Sequence, residues 1–69
     1  MAVRYYSTQR PVGPGTFPKE QKVIEVVNFD RRTFCEEIGR PAWGYPEYEA
    51  EISRKGAEDY ELVKYAPKQ

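Results

Sequence analysis

The sequence predicts a small two-layer α+β domain: about three strands in one mixed or antiparallel sheet, with two short helices on one face, in the order β-β-α-β-α. Three observations predict it. Lys22 to Phe29 (KVIEVVNF) is dense in β-branched residues, the apolar spacing turns helical after Asp30, and alternation returns from Ala42 to Ile52 ahead of a serine-capped segment. The chain has 69 residues, room for one domain that buries about 60% of the surface its unfolded form exposes. The ordered core is expected over about residues 4–63, with a loose tail at 64–69.

Residues 4 to 10 are rich in Tyr, Ser and Thr and alternate weakly, which predicts an amphipathic strand stopped by Pro11. Pro11, Gly13, Pro14, Gly15 and Pro18 then hold the chain in turns and extended backbone, because proline fixes φ and lacks a donor. Val23, Ile24, Val26 and Val27 place the next strand in the middle of the sheet, apolar on both faces. Asp30 then serves as an N-cap for RRTFCEEI, whose Phe34, Cys35 and Ile38 share a stripe, and Gly39 and Pro41 stop that helix. In the third strand Tyr48, Ala50 and Ile52 face inward and Glu47, Glu49 and Glu51 face water, with Pro46 marking an edge or a bulge. Ser53 caps a last helix, RKGAEDYEL, in which Gly56 costs about 1 kcal/mol relative to alanine. Val23, Ile24, Val27, Phe34, Ile38, Tyr48 and Ile52 are the expected core. Val12 and Phe17 of the Pro/Gly segment are expected to roof the Trp43 and Tyr45 side of the sheet.

Composition narrows the function. Eleven Lys and Arg balance eleven Asp and Glu, so no overall field draws the chain to polyanions. The charge is uneven: Arg4, Arg10, Lys19 and Lys22 against Glu20 make residues 1–22 basic, and residues 23–53 are acidic. One cysteine and no apolar run of signal or membrane-spanning length lead us to expect a soluble, cytoplasmic protein with no membrane association. The sequence has no histidine, which removes the commonest general base and metal ligand. Cys35 is read as a packed thiol and the three glutamates, roughly 6.6 Å apart along a strand, as a solvated face. GPG at 13–15 matches neither phosphate-loop spacing. No catalytic, cofactor-binding or metal-binding residue is expected.

The surface residues that stand out are Arg4, Tyr6, Arg10, Phe17, Trp43 and Tyr45, aromatic side chains set among bases and bordered by prolines. They point to a non-enzymatic module that docks a protein partner. The alternative is nucleic-acid binding through Arg4, Tyr5, Tyr6 and Arg10, since rings among cations stack bases and neutralise phosphates.

The stretches YYSTQRPVGPGTFP, VNFD, EEIGRPAWGY and YELV, in this order, resemble short uncharacterised domains of bacterial mobile elements, of the type associated with large polyvalent proteins of conjugative elements and phages in gut Firmicutes. The likeness runs from about residue 4 to 63 and carries no assigned activity. It implies an accessory protein of a mobile element, or a module fused to larger polypeptides. Such domains often carry an acid-rich final helix, where this sequence has Arg54, Lys55 and Gly56.

Overall fold

The computed structural model describes residues 2–65. Strands β1 (Val3–Ser7), β2 (Val23–Cys35), β3 (Arg40–Tyr48) and β4 (Leu62–Tyr65) form one antiparallel sheet in the order β2-β3-β1-β4, and helix α1 (Arg54–Asp59) precedes β4. This corrects the expected three strands and two helices. The segment after Asp30 stays in β2, and the chain returns after α1 as a fourth strand. Lys64 and Tyr65, expected in the loose tail, pair with Tyr5 and Arg4; the rest of that tail, 66–69, lies outside the described residues.

The absent helix has a local cause. Glu36–Gly39 forms the β2–β3 turn, in which the Gly39 N–H donates to the Cys35 carbonyl at 2.9 Å and Gly39 takes a φ of +70°. A glycine in the left-handed region closes a helix and this hairpin turn by the same chemistry. Across it Cys35 pairs with Arg40 and Phe34 with Pro41, so Phe34 is 61% exposed instead of buried.

β2 is also an edge strand, not the central one its composition suggests. Its pairing with β3 slips twice, between Val23 and Glu25 and between Asn28 and Thr33. Ile24 at 49% and Val26 at 45% exposure lie at the surface, while Val23, Val27 and Ile38 are half-buried. The central place falls to β1, in which Val3, Tyr5, Tyr6 and Ser7 are all buried. Pro46, expected at an edge or a bulge, sits in the interior strand β3. The β1–β3 ladder runs from Val3 and Arg4 to Ser7 without a Tyr5 or Tyr6 pair, so the proline lies beside a break in the pairing. A missing donor is tolerated where no bond would form.

Two clusters fill the two faces. Val3, Tyr5, Tyr48, Ile52 and Leu62 make the first, against which Phe17, Val23, Ala57 and Tyr60 pack. Tyr48 and Ile52 are buried as the sequence predicts, but Ala50 is exposed. Here the Pro/Gly segment is a cover: Val12 is 5% exposed, Pro18 is buried, Phe17 meets the Tyr48 ring edge-on at 6.4 Å and the Tyr48 hydroxyl donates to the Pro18 carbonyl at 2.6 Å. It covers the Tyr48 side and not the Tyr45 side, since residues three apart on a strand face opposite ways. The second cluster, Tyr6, Cys35 and Ala42, is roofed by Phe29, Ile38, Tyr45, Val63 and Tyr65. Part of that roof is the hairpin itself, as the slip after Asn28 lets Phe29 reach the Tyr45 ring at 6.3 Å.

Helix α1 is held from its start. The Ser53 hydroxyl accepts from the Gly56 N–H at 3.0 Å, and the Glu20 carboxylate accepts from both the N–H and the hydroxyl of Ser53 at 2.8 Å. Gly56 is buried, and a Cβ there would meet the Glu20 carboxylate. The glycine's cost in helix propensity thus makes room for a cap, worth about 1 kcal/mol. Arg54–Glu58 and Lys55–Asp59 add exposed pairs one turn apart.

Candidate functional site

Three of the six expected surface residues come together on one face. Arg4 and Tyr6 leave β1 on the side away from Tyr5, and Tyr45 reaches them from β3. The Arg4 guanidinium lies 4.7 Å from the Tyr45 ring centre, and the Tyr6 and Tyr45 rings are 4.9 Å apart, distances at which a cation and an aromatic quadrupole attract. Tyr65 adds an edge-on ring at 6.2 Å from Tyr6.

Carboxylates complete this cluster. Arg4 Nε donates to Glu47 at 3.1 Å and Arg4 Nη1 to the Tyr6 hydroxyl at 3.5 Å, while that hydroxyl donates to Glu37 at 2.6 Å. The Tyr6 bond, followed by Glu47, holds the Arg4 pKa above its ordinary value. Burial, then the Glu37 bond, raises that of Tyr6, and the same bond lowers that of Glu37. The chain of Glu47, Arg4, Tyr6 and Glu37 is satisfied internally, with the phenol kept protonated and the guanidinium paired. It braces the second face of the sheet.

The other expected residues lie apart from this group. Arg10 clips the end of α1, donating from Nη1 to the Tyr60 carbonyl at 3.1 Å and from Nη2 to Glu61, whose φ of 56° lies in the left-handed region. Phe17 is on the first face. Trp43 is half-buried and joins neither cluster. The nucleic-acid alternative needs free rings on β1, and Tyr5 and Tyr6 are 2% and 0% exposed, so neither offers a face to a base. Cys35 is buried, and burial pushes its thiol up from the ordinary value. Glu47 belongs to the cluster, contrary to the reading of a solvated face. Glu49 and Glu51 are exposed and meet Lys22 at 4.0 Å and Lys64 at 2.6 Å.

What sequence reasoning missed is the exposed apolar surface of β2. Among the described residues the exposed large hydrophobic side chains are Ile24, Val26 and Phe34, all on this strand. Beside it runs a groove of about 310 Å³, formed by Gly13, Pro14, Phe17, Lys19 and Val26. The cleft between α1 and β4, about 370 Å³, has a self-paired ionic rim, with Lys64 on Glu51 and Arg54 on Glu58. The groove's one charged residue, Lys19, makes no ion pair among the described residues. A signal for this surface existed in the sequence, since β-branched residues crowd 23–27 beside a proline-rich stretch. It was absorbed by the assumption that so apolar a strand must be central.

Fold and surface together define a small antiparallel β domain with a polar cluster on one face and an edge strand, β2, that carries exposed apolar side chains. The chain belongs to the defence against restriction A C-terminal family, whose model matches residues 1–66. This is a phage- and mobile-element-associated family, the context the resemblance implied, and it does not confirm the polyvalent-protein type. No curated protein and no solved structure matches the chain. None of its helices, among the described residues, is long and apolar enough to cross a membrane.

Proposed function

We propose that this domain is a non-enzymatic docking module of an accessory protein with which a phage or mobile element defends its DNA against host restriction. The observation that carries the reading is that the exposed large hydrophobic side chains among the described residues, Ile24, Val26 and Phe34, all belong to one edge strand. A monomeric domain usually hides such side chains or uses them to bind. The family description supplies the setting, and the histidine-free composition supports a surface-presenting role over a chemical one. Within this reading the domain is carried by larger element-encoded polypeptides and acts in the bacterial cytoplasm on a protein partner. Of the residues singled out in the sequence, Phe17 belongs to the docking surface, Arg4, Tyr6 and Tyr45 brace the sheet, and Arg10 holds the end of α1.

The test is genetic. An element whose copy of the domain carries Val26→Asp and Phe34→Ser should establish poorly on a restricting host and normally on a non-restricting one, with the protein still present at its usual level. Equal efficiency on both hosts would overturn the defence reading.

A further inference from the structure

The free edge of β2, together with the Lys19 groove, specifies more than a generic sticky surface, and the kind of partner it fits rests on the docking reading. Between its two slips β2 pairs regularly with β3: Glu25 with Glu47, Val26 with Pro46, Val27 with Tyr45 and Asn28 with Gly44. Among the described residues the opposite side of this stretch faces no strand, so its outward backbone N–H and C=O groups are available to a further one. The groove opens on the same stretch, because Val26 is both its wall and a member of the edge. The groove is also built to last. The Asn28 amide donates to the Val12 carbonyl at 2.9 Å, the Thr16 hydroxyl accepts from the Gly13 N–H at 2.8 Å, and Tyr48 holds Pro18.

We propose that an extended segment of a partner protein adds to this edge as a fifth strand, seating an apolar side chain in the groove against Phe17 and Val26 and a carboxylate, on the same face, against Lys19. In strand addition the backbone bonds supply affinity and alternate side chains supply specificity. The specificity here comes from charge. The groove holds Lys19 and no carboxylate, so an acidic residue is attracted to it and a basic one repelled. Glu25 neighbours Val26 along the strand and projects to the other face, beside Glu47, so the segment's intervening side chains meet acid and are best basic or neutral. A second copy of this chain is the poorer occupant. Paired antiparallel about a two-fold axis at Val26, it sets Glu25 opposite the copy's Val27 and brings a second Lys19-bearing groove that contains no carboxylate to meet the first.

Selection of random twelve-residue peptides displayed on phage, using the purified chain as bait, tests this. Selected peptides should alternate, with an apolar and an acidic residue on one face, and on binding should move the backbone amide resonances of residues 13–19 and 23–28. Val26→Asp should weaken them roughly tenfold and Lys19→Glu roughly fivefold, both at exposed positions that leave the melting temperature in place. A peptide whose acid is replaced by lysine should regain binding to the Lys19→Glu variant. Binders that lack an acid, binders that shift the Arg4 and Tyr45 face instead, or a selection that yields none would overturn the edge assignment while leaving the docking reading to the genetic test. A chain that sediments as a dimer dissociated by Val26→Asp would overturn it in favour of the second copy.

Discussion

Tyr48 and Phe34 are both aromatic residues in strands, and they have opposite weights. Tyr48 is fully buried, touches the rings of Tyr5 and Phe17, and donates its hydroxyl to the Pro18 carbonyl at 2.6 Å. Tyr48→Phe keeps the packing and leaves that carbonyl without its donor, which should cost about 1–3 kcal/mol in urea unfolding. Phe34 is 61% exposed. As a core helix residue it would cost on the order of 3 kcal/mol on truncation, whereas at the surface Phe34→Ala should change stability by no more than about 0.5 kcal/mol. If the two variants melted in the reverse order, the turn at Glu36–Gly39 would have to be a helix after all.

At the level of elements, the register of the β2–β3 pair depends on Gly44. Its φ of 151° lies in the range other residues avoid, and a Cβ there would run into the Val27 carbonyl oxygen, with the Asn28 Cα at 2.9 Å and Val12 Cγ2 at 3.1 Å. The backbones of β2 and β3 meet so closely because Gly44 sits opposite Asn28, just where the ladder begins to slip. Gly44→Ala should therefore destabilise by about 3 kcal/mol or more, and amide exchange should quicken first along 26–28 and 42–45. A stable variant with unchanged exchange would mean the two strands are further apart. The same element carries the proposed docking surface: the two slips bound 25–28 as a regularly paired stretch of the edge.

For the whole molecule, pH should act through the two tyrosine-centred networks. Glu37 has a folded pKa below its unfolded one because the Tyr6 hydroxyl donates to it. Its contribution is complete above the ordinary glutamate range and is lost as pH falls through the folded value. Tyr6 and Tyr48 titrate above the ordinary tyrosine range, chiefly through burial, so their contribution is complete below that range and is lost as pH rises through their folded values. Stability should be flat through neutral pH and fall on both sides. Glu37→Gln should flatten the acid limb and Tyr48→Phe the alkaline one, as followed by denaturant unfolding and tyrosinate absorbance. An acid limb unchanged in Glu37→Gln would show that the Tyr6–Glu37 bond does not form in solution.

By itself the sequence determined the short-range features: the β character of residues 4–7 and 23–29, the Ser53 cap, a Pro/Gly segment folded back with Val12 inside, though over the Tyr48 side and not the expected Tyr45 side, and the inward Tyr48 and Ile52. Each depends on chemistry within a few residues, such as β-branching, a missing proline donor or a cap hydroxyl. Only the tertiary structure decided that β2 is an edge, that EEIG is a hairpin turn, that β1 lies at the centre and that Arg4 is paired with Glu47 across 43 positions of chain. Apolar content cannot rank strands when a domain this small leaves much of its surface open, and a left-handed glycine closes helices and hairpins alike. The docking edge became visible only with strand order, because exposure belongs to the sheet as a whole and not to any strand read alone.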